Sequence, residues 1–252
     1  MTADDLIDFL GIESPEEIDI EAIAYSQNIL VKYRPLDSCE AKIVGVGDKA
    51  VITVNSNQNN EGRKRFSIAH EIGHWMNDRG KAFICDSGDI GSRFGPANPE
   101  SRANSFAADL LMPRSIARPR IHEYPFTIEG AAKLAKEFST SRSASAIRMV
   151  QLSDTPAILA WYNQTRRIRF RRSANVPDEI WPVDLVDHET TAFENLFGNR
   201  GITAAEEVDA DSWISHRESH RYTVIESSML VTPDTLMVMI WWKDEAQILD
   251  LD

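Results

Sequence analysis

The sequence predicts an α+β protein with helices around a small sheet over residues 1–153 and a β-rich region over 154–252. Three observations carry this. Apolar residues recur at helical spacing in several segments before residue 153. Three short β-branched runs, ending in a hairpin pattern, interrupt those helices between residues 29 and 54. From about residue 155 the helical period gives way to paired apolar runs separated by turn residues.

In chain order, residues 3–10 and 16–28 read as helices, with Leu6, Ile7 and Leu10 on one face and Ile20, Ile23 and Ala24 on another. Ser14-Pro15-Glu16-Glu17 is a helix entry: a capping residue, a proline in the first turn, then acids that favour the helix N-terminus. Ile29–Tyr33 reads as a strand. Lys42–Val46 and Ala50–Val54 read as a hairpin turning at Gly47-Asp48. A helix is expected from about Glu61 to Asn77, with Gly80 beyond it as a stop. Residues 81–97, with three glycines and a proline, read as a loop. Asn98-Pro99-Glu100 then opens a helix that must end before Pro113. Helices are expected at 127–138 and 142–152, joined by Ser139-Thr140-Ser141. Hairpins are expected at 157–162 with 167–171 and at 222–231 with 235–242. Residues 172–220 show no clear period.

Composition sets outer bounds. Hydrophobic residues make up 42% and charged residues 26%, as in soluble globular proteins. No apolar run reaches the roughly 18 residues that a membrane helix needs. The acidic start, Met1-Thr2-Ala3-Asp4-Asp5, is not a secretory signal, and two widely spaced cysteines do not make a disulfide framework. A cytoplasmic location is therefore expected. The net charge of −12 is uneven: residues 1–62 carry 4 basic and 12 acidic side chains, residues 63–175 carry 19 and 10, and residues 176–252 carry 4 and 17. The basic middle can face an anionic partner or pair with its own acidic flanks.

The sharpest chemical signal is His70-Glu71-Ile72-Gly73-His74, an HExxH pattern. On a helix, residues 70 and 74 are one turn apart, so both imidazoles leave the same face and can hold one zinc ion. Glu71 is rotated by about 100° and can reach a water at the metal as general base. Chance produces the pattern in roughly one chain in a hundred of this length and composition. Ile68, Ala69, Ile72 and Trp75 strengthen it, because they supply an apolar face that would bury the helix beside its histidines. The bland alternative is an ordinary helix with solvated histidines. A catalytic zinc takes a third protein ligand and keeps one open position. Six residues after His74 stands Gly80, so the zincins that ligate there are excluded. Asp78 is a solvated helix-end residue or a supporting group. Glu100 is the better third ligand: it shares a helix face with Ala103, Asn104, Ala107 and Leu111, a face small enough to approach the first helix closely. The alternative for Glu100 is an acid answering its helix dipole. Asp109 falls on the opposite side of that helix, in solvent.

These residues resemble the ImmA/IrrE family of zinc peptidases. The resemblance rests on Arg65–Trp75, on Glu100-x-x-Ala103-Asn104-x-Phe106-Ala107-Ala108-Asp109-Leu110-Leu111-Met112-Pro113, and on flanking stretches at Asp19–Ala24 and Phe138–Arg148, covering roughly residues 15–150. Asp109 stands where the family's FA-x-E-L motif carries a glutamate, a mild departure. The resemblance implies a zincin-like metallopeptidase core with Zn2+ on His70, His74 and Glu100, and with Glu71 as base. It also implies a protein substrate, a helix-turn-helix transcriptional repressor of phage, stress or toxin–antitoxin type. The alternative is a non-catalytic zincin-like regulator that binds DNA or a partner protein.

Other constellations are weaker. His216 and His220 are four apart but lack a helical setting, so a second metal site is not expected. Cys85 reads as an inert thiol. His122 and Tyr124 could stabilise an oxyanion, though loop residues of these types are mostly structural. Residues 127–152 have a helix-turn-helix outline, but only Arg142 and Arg148 could meet phosphates, so a packing role fits better. The arginines within residues 163–172 could make a weak nucleic-acid contact. They could equally be the charged edge of a hairpin.

Overall fold

A computed structural model describes residues 1–37, 39–78, 98–198 and 201–249. The chain divides into two compact units, residues 1–117 with 136–141, and residues 118–135 with 142–252. The architecture is mixed: helices with one small sheet, then a β-rich part.

The first unit opens with α1 (Ala3–Leu10), entered through a capping box in which Thr2 and Asp5 satisfy each other's backbone. Gly11 ends it at φ 66°, a left-handed conformation that suits glycine. Ser14 and Pro15 start a 3-10 turn rather than an α-helix, and α2 (Ile20–Ser26) begins afresh under an Asp19 cap. The three expected strands form as β1 (Ile29–Arg34), β2 (Ala41–Val46) and β3 (Lys49–Asn55). The β2–β3 hairpin turns at Gly47, φ 64°. β1 does not extend the hairpin on the β2 side. It pairs in parallel with β3, giving the order β1-β3-β2. Ala50, Ile52 and Val54 point to the core.

α3 (Glu61–Asp78) packs on β2 and β3, and α4 (Pro99–Leu111) packs in turn on α3. Two glycines set how closely α3 packs. A Cβ on Gly45 of β2 would lie 2.1 Å from the ring of Trp75, so the indole fills the space that a side chain there would take. A Cβ on Gly73 would lie 3.1 Å from both the Cα and the carbonyl oxygen of Ala103 in α4. The two helix backbones therefore meet with almost nothing between them.

α5 (Arg114–Glu123) is a helix that the sequence reading does not anticipate, since it contains Pro119. It is followed by α6 (Ile128–Glu137) and α7 (Arg142–Leu152). In the second unit, β4 (Ala157–Tyr162), β5 (Arg167–Arg172), β6 (Glu206–Asp209), β7 (Thr223–Thr232) and β8 (Thr235–Trp241) form a sheet of order β5-β4-β8-β7-β6. Every residue of β4 is buried, so this sheet is covered on both faces. One face carries Ile158, Ala160, Val238 and Ile240 onto Trp213, Ile180 and Leu196 of α8 (Thr191–Gly198). The other meets α7, and the Phe126 and Trp241 rings lie 5.7 Å apart in a T-shape before α6. A last turn, α9 (Ala246–Leu249), closes the described chain. No described helix is long and apolar enough to cross a membrane.

Candidate metal centre

The site is built on α3 and α4. α3 carries His70, Glu71 and His74, all buried, at 6%, 2% and 2% exposure. α4 starts at an Asn98 cap whose Oδ1 accepts the Glu100 N–H at 3.0 Å, which places Glu100 in the first turn. The close approach at Gly73 and Ala103 then brings this turn beside the two histidines. His70 Nε2 lies 3.0 Å from His74 Nε2 and 3.2 Å from Glu100 Oε2, and His74 Nε2 lies 3.2 Å from Glu100 Oε1. Among the described residues this is the one cluster of three potential metal ligands. Asp109 is outside it, and is half-buried rather than in solvent.

The donor set fits a cation. Four ligands about 2.0–2.1 Å from a tetrahedral zinc lie about 3.3–3.4 Å from one another, and the separations of 3.0–3.2 Å here are close to that edge. Protons alone satisfy the cluster poorly. His70 Nδ1 lies 3.0 Å from Asn104 Oδ1, an amide oxygen that can only accept, so the ring proton sits on Nδ1. The Nε2 of His70 is then a bare lone pair facing a carboxylate oxygen. One proton on His74 Nε2 can serve His70 or Glu100 but not both, whereas a central cation serves all three. Burial is the main cause holding His70 below the ordinary histidine range, with the neighbouring His74 adding to it and Glu100 opposing it. A neutral ring is the form that ligates a metal.

The contact of Asn104 with His70 is one that the sequence reading does not assign, although it places Asn104 on the Glu100 face. It was legible in principle, since Asn104 follows Glu100 by four and shares its face. Fixing a ligand's tautomer through its other ring nitrogen is a recurring feature of metal sites.

None of the other described candidates from the sequence belongs to the three-donor cluster. The side chain of Asp78 and all of Cys85 lie outside the described residues. His122 is exposed and Tyr124 half-buried, and both belong to the second unit. The His220 ring contacts the Arg217 carbonyl, and His216 Nδ1 accepts the Glu218 N–H, so both belong to a local turn. Arg148 is only 7% exposed on α7, which packs on β4 and β5, so it cannot reach a phosphate. In β5 the arginines are mostly committed internally. Arg167 binds the carbonyls of Pro182 and Val183 and pairs with Asp184. Arg172 bonds the Pro177 carbonyl and Asp178. Arg169 lies 4.4 Å over the Trp161 ring.

The solved structure of a Mycobacterium tuberculosis transcriptional regulator superposes with a TM-score of 0.61 at 14% identity, covering 99% of this chain and 88% of that one. At that identity the likeness shows a shared fold. No curated protein matches the sequence. The family model for the IrrE N-terminal-like domain, Peptidase_M78, matches residues 15–150, a span that contains His70, Glu71, His74 and Glu100. That match extends over more than half of the chain, which belongs to the Peptidase_M78, IrrE N-terminal-like family.

Proposed function

We propose that the chain is a zinc-dependent endopeptidase acting on a protein substrate in the cytoplasm, with residues 1–153 as its peptidase domain and 154–252 as a regulatory or partner-binding region. The observation that carries the reading is the buried convergence of two imidazole nitrogens and a carboxylate at 3.0–3.2 Å. His70, His74 and Glu100 would hold the ion, and Asn104 keeps His70 in the ligating tautomer. When bound, zinc supplies a Lewis acid that polarises a carbonyl and makes water acidic near pH 7. Glu71 would accept the proton of the attacking water and return it to the leaving amine. The family resemblance points to a helix-turn-helix repressor as the substrate.

The test is to incubate zinc-loaded protein with a helix-turn-helix repressor encoded beside it and to identify fragments by mass spectrometry. Glu71→Gln should keep zinc and fold and lose cleavage. If the wild type binds zinc but cuts no such repressor, and Glu71→Gln behaves like wild type in cells, the second reading stands: a non-catalytic regulator that binds DNA or a partner protein. Within residues 163–172, Arg166, Arg169 and Arg171 are the exposed arginines left for a weak nucleic-acid contact.

A further inference from the structure

Residues 1–62 contain only four basic side chains against 12 acidic ones: Lys32, Arg34, Lys42 and Lys49. The strand register places all four on one face of the first sheet. Ala50, Ile52 and Val54 point inward, so their neighbours in β3 point outward. Thr53 is paired with Lys32 and Lys42, Asn55 with Arg34, and Lys49 with Val46. On the same outward face, Val51 lies between Leu30 and Val44. An apolar row therefore crosses three strands with cations on both sides.

This face is open. Leu30 is 48% exposed, Val44 64% and Val46 82%, and all four cations are exposed. Among the described residues none of the four makes an ion pair or a side-chain hydrogen bond. Neighbouring cations of the same unit do: Arg63 pairs with Glu40 and Lys64 with Glu61. Among the described elements, α2 and α3 pack on the inner side of the sheet and none packs on the outer face.

We propose that the outer face of β1-β3-β2 docks an amphipathic helix of a partner protein, with its aliphatic stripe on Leu30, Val51 and Val44 and its acids beside Lys32, Lys42 and Lys49. Covering a half-apolar sheet with a helix is the ordinary way such a face is buried. The charges select an acidic partner and set its register. A nucleic acid fits less well: phosphates gain nothing from an aliphatic row, and the face offers no aromatic ring on which a base could stack. The proposal is independent of the metal chemistry, so either can fail alone.

The probe is a synthetic helical peptide of about 18 residues with Leu at i, i+3, i+4 and i+7 and Glu elsewhere. The controls are a scrambled peptide of the same composition and a single-stranded DNA oligonucleotide. With the full-length 15N-labelled chain, the amides of β1, β2 and β3 should shift on adding the Leu/Glu peptide, and binding should weaken as salt rises. Lys32→Glu/Lys42→Glu should weaken binding about tenfold or more. Leu30→Ser/Val44→Ser, which leaves the charges in place, should also weaken it several-fold, with zinc binding unchanged in both. The proposal is overturned if the peptide does not bind, if the scrambled peptide binds equally, or if the shifts fall elsewhere. It is equally overturned if the oligonucleotide binds and loses affinity in the Lys32/Lys42 variant. Self-association, seen by sedimentation and abolished by the same substitutions, would replace the partner with a second copy of the chain.

Discussion

Replacing Gly73 with alanine would add a single methyl group where α3 and α4 touch. That Cβ would lie 3.1 Å from Ala103 Cα, 3.1 Å from the Ala103 carbonyl oxygen and 3.2 Å from Phe106 Cβ. Comfortable carbon contacts start near 3.5 Å. Two of the three obstacles are backbone atoms, so the helices must part by a few tenths of an ångström. Overpacking of this kind costs about 1–3 kcal/mol, against a gain of about 0.5–1 kcal/mol from removing a mid-helix glycine. The net effect on stability is therefore a loss of about 0–2.5 kcal/mol. The metal site feels it more. Gly73 adjoins His74, and Ala103 lies one turn from Glu100, so parting the helices lengthens the 3.2 Å separations across the site. Metal–ligand distances tolerate only about ±0.2 Å. Zinc affinity should fall about tenfold to a hundredfold, by analogy with losing a group that orients a ligand. Competition with a chromophoric chelator measures it. Gly62→Ala, in the same helix but with its nearest neighbour at 3.4 Å, is the control and should leave zinc affinity unchanged. Wild-type zinc affinity in Gly73→Ala, with a full helix-propensity gain in stability, would refute the view that this contact sets the spacing of the ligands.

Three further outcomes are expected. Asn104→Ala should lower zinc affinity about 10–100-fold with the fold intact, read by the same chelator assay, because His70 loses the acceptor for its Nδ1 proton. Gly45→Ala should destabilise the first unit by about 1–3 kcal/mol or more, since the methyl would land 2.1 Å from the Trp75 ring. Denaturation should show a smaller cost when it is combined with Trp75→Phe. Glu226 is fully buried and accepts bonds from Thr191 Oγ1, the Ala192 N–H and Trp213 Nε1. Burial raises its carboxyl above the usual range, and these bonds oppose the shift. The raised folded value means that its stabilisation is complete below the ordinary carboxylate range and is lost as pH rises through the folded value. Denaturation across that window should slope downward with pH in the wild type and less so in Glu226→Gln; equal slopes would refute it.

Some of this protein was determined locally. Two histidines four apart on α3 had to share a face, and Glu100 and Asn104 share one on α4, because helical period is a property of a short segment. The β2–β3 hairpin likewise follows from a turn that favours the left-handed Gly47. Tertiary structure decided what depends on distant partners. Nothing within 29–34 says that β1 pairs in parallel beside β3, and nothing in the Arg114–Glu123 segment announces a helix around Pro119. Only the fold revealed that Gly73 meets Ala103, and that contact turns two separate helix faces into one three-donor cluster. Residues 172–220 resist reading for the same reason: the N-terminus of α8 is held by the carboxylate of Glu226, more than thirty residues away. Periodicity is written into neighbouring residues, whereas packing between elements depends on shape, and shape exists only once the chain has folded.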